Sequence, residues 1–111
     1  MNKVTVPLQA PCVLRSPRVR EELTPADWFR AAMRHIAGDW GEVSTVQQRE
    51  SQQNLAAGSG RLLSAYRTGT GEMFWVMSEG DWSDIAVFFP EEFEEYRRVR
   101  ASLDRIEAAV Q

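Results

Sequence analysis

The hydrophobic period changes twice along this chain, from about 3.6 residues to 2 and back again, and that alternation decides what it can fold into. Apolar side chains recur at spacings of three and four over 24–57, alternate one-in-two over 61–89, and return to three and four over 93–110. A chain divided in this way predicts an α+β protein: two N-terminal helices, a three-stranded antiparallel β-meander and a long C-terminal amphipathic helix.

Local signals place the elements. Thr24-Pro25-Ala26-Asp27 opens the first helix, with Thr24 as N-cap, Pro25 at the first helical position and Asp27 where a capping-box acid belongs. Phe29, Ala32, Met33 and Ile36 form its apolar stripe, Trp28 and Ala31 widen it, and Gly38 ends it, so a core-facing helix is expected over 25–37. Ser44 caps a second helix over 45–57, with Val46 and Leu55 as its large apolar residues. Gln47, Gln48, Gln52 and Gln53 keep it mostly polar, which suits a surface helix. Residues 61–68, 72–78 and 83–89 alternate as three strands, joined through Gly69-Thr70-Gly71 and Glu79-Gly80-Asp81. Ile85, Val87 and Phe89 fall on one face of the third. Pro90 starts the last helix, where Phe93, Tyr96, Val99, Leu103, Ile106 and Val110 make a seam. That seam packs on the sheet, or joins a second copy as a short coiled coil to give a homodimer.

Residues 1–23 contain Pro7, Pro11 and Pro17 and show little periodicity. They are expected to form an extended, basic, Pro-rich arm, in which Val4, Val6 and Leu8 alternate as a short edge strand permits. Residues 24–111 then make a single α+β domain. No apolar run approaches the roughly 20 residues that a membrane-spanning helix needs. The stretch from Met1 to Arg20 lacks the apolar block of a signal peptide, so a cytoplasmic protein with no membrane partner is expected. The single cysteine, Cys12, excludes an internal disulfide and a Cys-rich zinc site.

Charge is strongly segregated. Residues 68–96 carry eight acids (Glu72, Glu79, Asp81, Asp84, Glu91, Glu92, Glu94 and Glu95) and no Lys or Arg, in a chain whose formal net charge is −3. Such a block repels nucleic acid and attracts basic surfaces within about 8 Å at physiological salt. Solvated loops and a helix start would produce the same composition. Trp40 and Trp82 each follow Asp in a Gly-Asp-Trp turn. A ring so placed either anchors its turn on the core or projects outward as a binding hot spot.

His35, Asp39 and Glu42 are the one cluster that contains a titratable base near neutral pH. One histidine among scattered carboxylates is a poor zinc set, whereas Asp39, Asp81 and Asp84 are of the oxygen type that magnesium takes. The competing role for His35 is to cap carbonyls at the end of its helix, where the dipole favours a cation. No nucleophile elbow, phosphate-binding loop or H-E-x-x-H pattern occurs, and no cofactor is implied.

Four motifs stand out: His35-x-x-Gly38-Asp39-Trp40-Gly41, Arg61-Leu62-Leu63-Ser64-Ala65-Tyr66, the strand holding Trp75, and Pro90-Glu91-Glu92-Phe93. On these the chain resembles, from Trp28 to Phe93, a family of small proteins from bacterial plasmids, integrative elements and phages. That family usually has Tyr where Phe93 stands, and Ala-Asp-Arg-Ser where this chain has Gly80-Asp81-Trp82-Ser83. The resemblance implies a mobile-element setting and brings no activity with it. With the acidic block, it leads to the expectation of a non-enzymatic protein that engages a basic, nucleic-acid-handling partner, such as a CRISPR or restriction defence complex, as an inhibitor. Glu72, Glu79, Asp81, Asp84, Glu91, Glu92, Glu94 and Glu95 would supply charge, and Trp40 and Trp82 apolar contact. The alternatives are a metal-assisted hydrolase or nuclease using His35 and Asp39, and a homodimeric structural or regulatory protein.

Overall fold

Ser16, Thr24 and Ser44 each turn a side-chain oxygen onto the backbone N–H three residues ahead, and each begins a helix. The computed structural model describes residues 13–110 apart from Ser83; in the last helix it describes side chains as far as Ser102, and also that of Arg105. Its elements are β1 (Val13–Arg15), α1 (Pro17–Glu22), α2 (Pro25–Ile36), α3 (Thr45–Ala57), β2 (Arg61–Arg67), β3 (Met73–Glu79), β4 (Ile85–Phe88), a 3-10 turn at Pro90–Glu92, and α4 (Phe93–Val110). Among the described residues no helix is long and apolar enough to cross a membrane.

The sheet order is β1-β4-β3-β2. β2, β3 and β4 form the expected antiparallel meander. β1 adds a fourth strand parallel to β4, in the register Val13↔Ile85, Leu14↔Ala86, Arg15↔Val87. The sheet is therefore mixed, and three helices precede the meander rather than two. The expected extended arm is corrected from Val13 onward, because Val19 and Leu23 bury themselves in the core and hold α1 against it. Residues 1–12, with the alternation of Val4, Val6 and Leu8 and with Cys12, lie outside the described residues.

Both faces of the sheet are covered, and β4 is accordingly buried at every position. On one face Leu62, Tyr66, Phe74, Val76, Ile85, Val87 and Phe89 meet Val19, Leu23 and Ala31 from the helices, with Trp28 half-buried at the margin. On the other, Met77, Ala86 and Phe88 lie under Trp75, Phe93 and Tyr96. The rings of Phe88 and Tyr96 stack with centroids 4.8 Å apart, which seats the first turns of α4. One turn further, Val99 is 52% exposed.

α3 explains its own polarity. Rather than burying an apolar stripe, it closes the outer edge of β2 with hydrogen bonds. Ser51 Oγ accepts from Leu63 N at 3.1 Å and donates to Leu63 O at 3.5 Å, while Asn54 Nδ2 donates to Arg61 O at 2.8 Å. Leu55 packs on the core, and Val46, the other large apolar residue of the helix, is 70% exposed. Ser51 is fully buried. Ser51→Ala is thus expected to leave the Leu63 amide without an acceptor and to lower stability by about 1–3 kcal/mol. Urea unfolding measures the loss, and amide exchange should show it concentrated at Leu63.

Candidate functional site

The one histidine points inward. α2 carries His35 onto the sheet, where β2 supplies Ser64 and β3 supplies Ser78 from the same face. His35 Nδ1 is 2.5 Å from Ser64 Oγ, and Nε2 is 2.7 Å from Ser78 Oγ. Trp40 and Trp82 close on the imidazole edge-to-face, at centroid distances of 5.5 and 6.0 Å. His35, Ser64 and Ser78 are each buried. Since either serine hydroxyl can donate or accept, both ring nitrogens are satisfied in either neutral tautomer. Burial strips a positive charge there of its solvation and pushes the imidazole down to about 3. His35 therefore does not cap helix carbonyls; the apolar walls of two indoles hold it as a neutral core residue. Its sequence signal was a pair of serines on the apolar face of two strands, a pattern legible only once the strands are aligned.

Asp39 does not orient that ring. Its Oδ2 accepts from Arg34 Nε at 2.7 Å and its Oδ1 from Gly41 N at 3.2 Å. The guanidinium of Arg34 holds the Asp39 carboxyl below the usual carboxylate range. Glu42 pairs instead with Arg67 at 3.0 Å. Asp84 is bonded to Arg100, so Asp39 and Asp84 are each engaged away from a shared site. Among the described residues no group of three or more His, Cys, Asp or Glu is arranged to hold a metal ion.

The residues around Asp39 instead clasp β2. Trp40 O accepts from Ala65 N at 3.1 Å, Glu42 N donates to Ala65 O at 2.8 Å, and Gly41 bridges Ala65 in parallel. Tyr66 Oη donates to Asp39 O at 2.5 Å, and burial pushes the phenol up to about 12. Two of the conspicuous motifs, residues 35–41 and 61–66, are thus each other's binding surface. Trp40 and Trp82, at 6% and 7% exposure, anchor their turns and present no ring to a partner. Trp82 does so from a left-handed backbone, φ 61°, which a tryptophan adopts only when its surroundings enforce it.

The acidic residues divide into two groups. Glu72 and Glu91 converge with Glu22 on Arg18, at 2.5, 2.8 and 2.7 Å. Arg18 draws the Glu22 carboxyl below its ordinary range, and the carboxylates raise Arg18 in turn. Beside them, Glu92 Oε1 accepts from Ser16 Oγ at 2.7 Å and from Phe89 N at 2.9 Å, tying the 3-10 turn to the start of α1. Glu95 stands in the first turn of α4. The second group belongs to arginines of α4: Glu94 pairs with Arg97 at 2.8 Å and Asp84 with Arg100, while Glu79 shares a cleft with Arg61, Arg97 and Arg100. Asp81 sits in the turn after β3. The carboxylates therefore do not form one uninterrupted face, because Arg18 and the α4 arginines are interleaved with them. No family model, no curated protein and no solved structure matches the chain.

Proposed function

We propose that the protein is a non-enzymatic binding protein that engages a basic protein partner through the acidic ground around Arg18. One observation carries this reading: three carboxylates, from Glu22, Glu72 and Glu91, gather on a single guanidinium and leave an excess of two negative charges. Glu91 remains 65% exposed in its side chain while making that contact. Glu92 and Glu95 extend the same ground toward α4. Excess charge of one sign speeds encounter with an oppositely charged surface and rejects wrong partners. In the mobile-element setting that the resemblance implies, the fitting basic targets are nucleic-acid-handling complexes, CRISPR or restriction machinery among them, and the protein would compete there with nucleic acid in the cytoplasm. Burial of His35 and the engagement of Asp39 by Arg34 favour this over a metal-assisted hydrolase, which needs an accessible base.

The test compares proteins captured from host lysate by the wild-type chain and by a Glu72→Lys/Glu91→Lys/Glu95→Lys variant. Basic nucleic-acid-binding proteins held by the wild type should be depleted by about tenfold or more with the variant, a change of ~1.4 kcal/mol. A variant that keeps every partner ends the reading. A second reading, a homodimer joined through α4, draws on the exposure of Val99. Sedimentation showing a monomer at high concentration removes it.

A further inference from the structure

The two edges of the sheet are finished differently. Ser51, Asn54 and residues 40–42 occupy the outer edge of β2. No described residue pairs with the outer edge of β1. Ser16 N donates to Val87 O at 3.1 Å, and the alternation of a parallel ladder then turns the N–H and C=O of Val13 and Arg15 away from β4. An unpaired edge is a template for another extended chain. Alongside it, between β1 and α4, runs a groove of about 210 Å³. Leu14, Ala86, Tyr96 and Val99 supply apolar wall, and Glu92 and Glu95 stand along it. Leu14 is 44% exposed and Val99 52%, so both contribute accessible apolar area to the one groove.

We propose that an extended segment of the basic partner adds to β1 as a further strand. Its alternate apolar side chains would enter the groove against Leu14 and Val99, and a Lys or Arg would meet Glu95. This rests on the reading of the protein as a binder of basic proteins and supplies its contact. Main-chain hydrogen bonds would give such a complex its affinity and the groove its selectivity, as in other cases of strand addition. Charge decides the occupant: Glu95 makes no ion pair among the described residues, and along the groove Glu92 and Glu95 outnumber the one cation, Arg15. Two copies joined edge to edge through β1 would bring their own Glu92 and Glu95 carboxylates together, which like-charge repulsion opposes.

The probe is a short synthetic peptide in which valines alternate with threonine and arginine, titrated into the isotope-labelled full chain and followed by NMR. Shifts are expected at the Val13, Leu14 and Arg15 amides and at the Val99 methyls. N-methylation of the peptide amides that face β1 should weaken binding by about tenfold or more, and so should Glu95→Lys; Leu14→Asp should abolish it. Absence of binding, or equal binding by the N-methylated peptide, overturns the proposal. So do cross-strand contacts in the free protein between β1 and the chain's own residues 4–8, or a dimer formed through β1. If charge reversal releases the captured partners while N-methylation changes nothing, strand addition fails and the binding reading stands. If charge reversal releases nothing, the reading itself fails.

Discussion

Gly41→Ala is expected to lower the free energy of unfolding by ~4 kcal/mol or more, whereas Gly38→Ala should cost about 1–2 kcal/mol. Both glycines have left-handed backbones, with φ 69° at Gly41 and 83° at Gly38, so each substitution incurs the same conformational cost. They differ in their surroundings. A Cβ at Gly41 would stand 2.1 Å from Ala65 O and 2.9 Å from the ring of Tyr66, while at Gly38 it would meet nothing within 4 Å. Backbone cannot yield as the end of a flexible side chain can. The alanine must push the 40–42 segment off β2, breaking the bonds of Ala65 N to Trp40 O and of Glu42 N to Ala65 O. Each broken bond costs about 1 kcal/mol, more if its groups stay buried. Domains of this size hold only about 5–15 kcal/mol in reserve, so the variant should be largely unfolded under mild denaturant. Urea midpoints for the two variants measure the difference, and equal midpoints would remove the clasp from the account.

That comparison bears on what the motifs are for. Residues 35–41 contain a histidine, a carboxylate and a tryptophan in a glycine-bounded run, a composition that invites a catalytic interpretation. In the fold every one of them has a packing duty: His35 to Ser64 and Ser78, Asp39 to Arg34 and Gly41, Trp40 to His35, and Gly41 to Ala65. Joining a helix end to a sheet edge demands such residues whether or not any chemistry takes place. Function is then sought on the charge around Arg18 that stays exposed, and at the outer edge of β1, which no described residue pairs.

Local chemistry was legible in the sequence wherever a residue's partner lies within one turn. Thr24 and Ser44 cap the helices expected of them, and the alternation over 61–89 delivers β2, β3 and β4. β1 was not legible, because three residues are too short to display a period and its partner β4 lies far along the chain. α1 carries the same Ser-Pro start signal as the Thr-Pro of α2, but it buries only Val19 within its length and so lacks an apolar stripe. Long-range electrostatics was hidden for the same reason. The run 68–96 shows eight acids with no Lys or Arg among them, yet Arg18 reaches Glu72 across 54 positions and Glu91 across 73. The partners of His35 lie 29 and 43 positions away. Charge in sequence is a one-dimensional count; charge on a surface depends on which strands the fold lays side by side.

Acid should destabilise this protein as soon as the pH falls below 6.5. In the folded chain burial holds the His35 imidazole down to about 3, and in the unfolded chain it returns to its ordinary 6.5. Above pH 6.5 both states are neutral at this residue and stability does not depend on it. As the pH falls below that value the unfolded chain takes up a proton that the folded chain refuses, so the equilibrium moves toward unfolding by up to about 1.4 kcal/mol per pH unit. By pH 5 the loss should reach ~2 kcal/mol, and it continues toward the folded-state value. Glu22, Asp39 and Glu94, each lowered by a neighbouring arginine, contribute stability that is lost only as the pH drops through their own depressed range, beneath the ordinary 4.5 of glutamate or 3.8 of aspartate. The interval from pH 6.5 to 5 lies above the depressed ranges of those three, and His35 is the chain's single histidine. Urea unfolding at pH 7 and pH 5 should show the drop in the wild type and not in His35→Gln, whose amide can bond both serines but takes up no proton. A wild type equally stable at both values would mean that the imidazole accepts its proton inside the fold, and the neutral buried histidine between Trp40 and Trp82 would have to be abandoned.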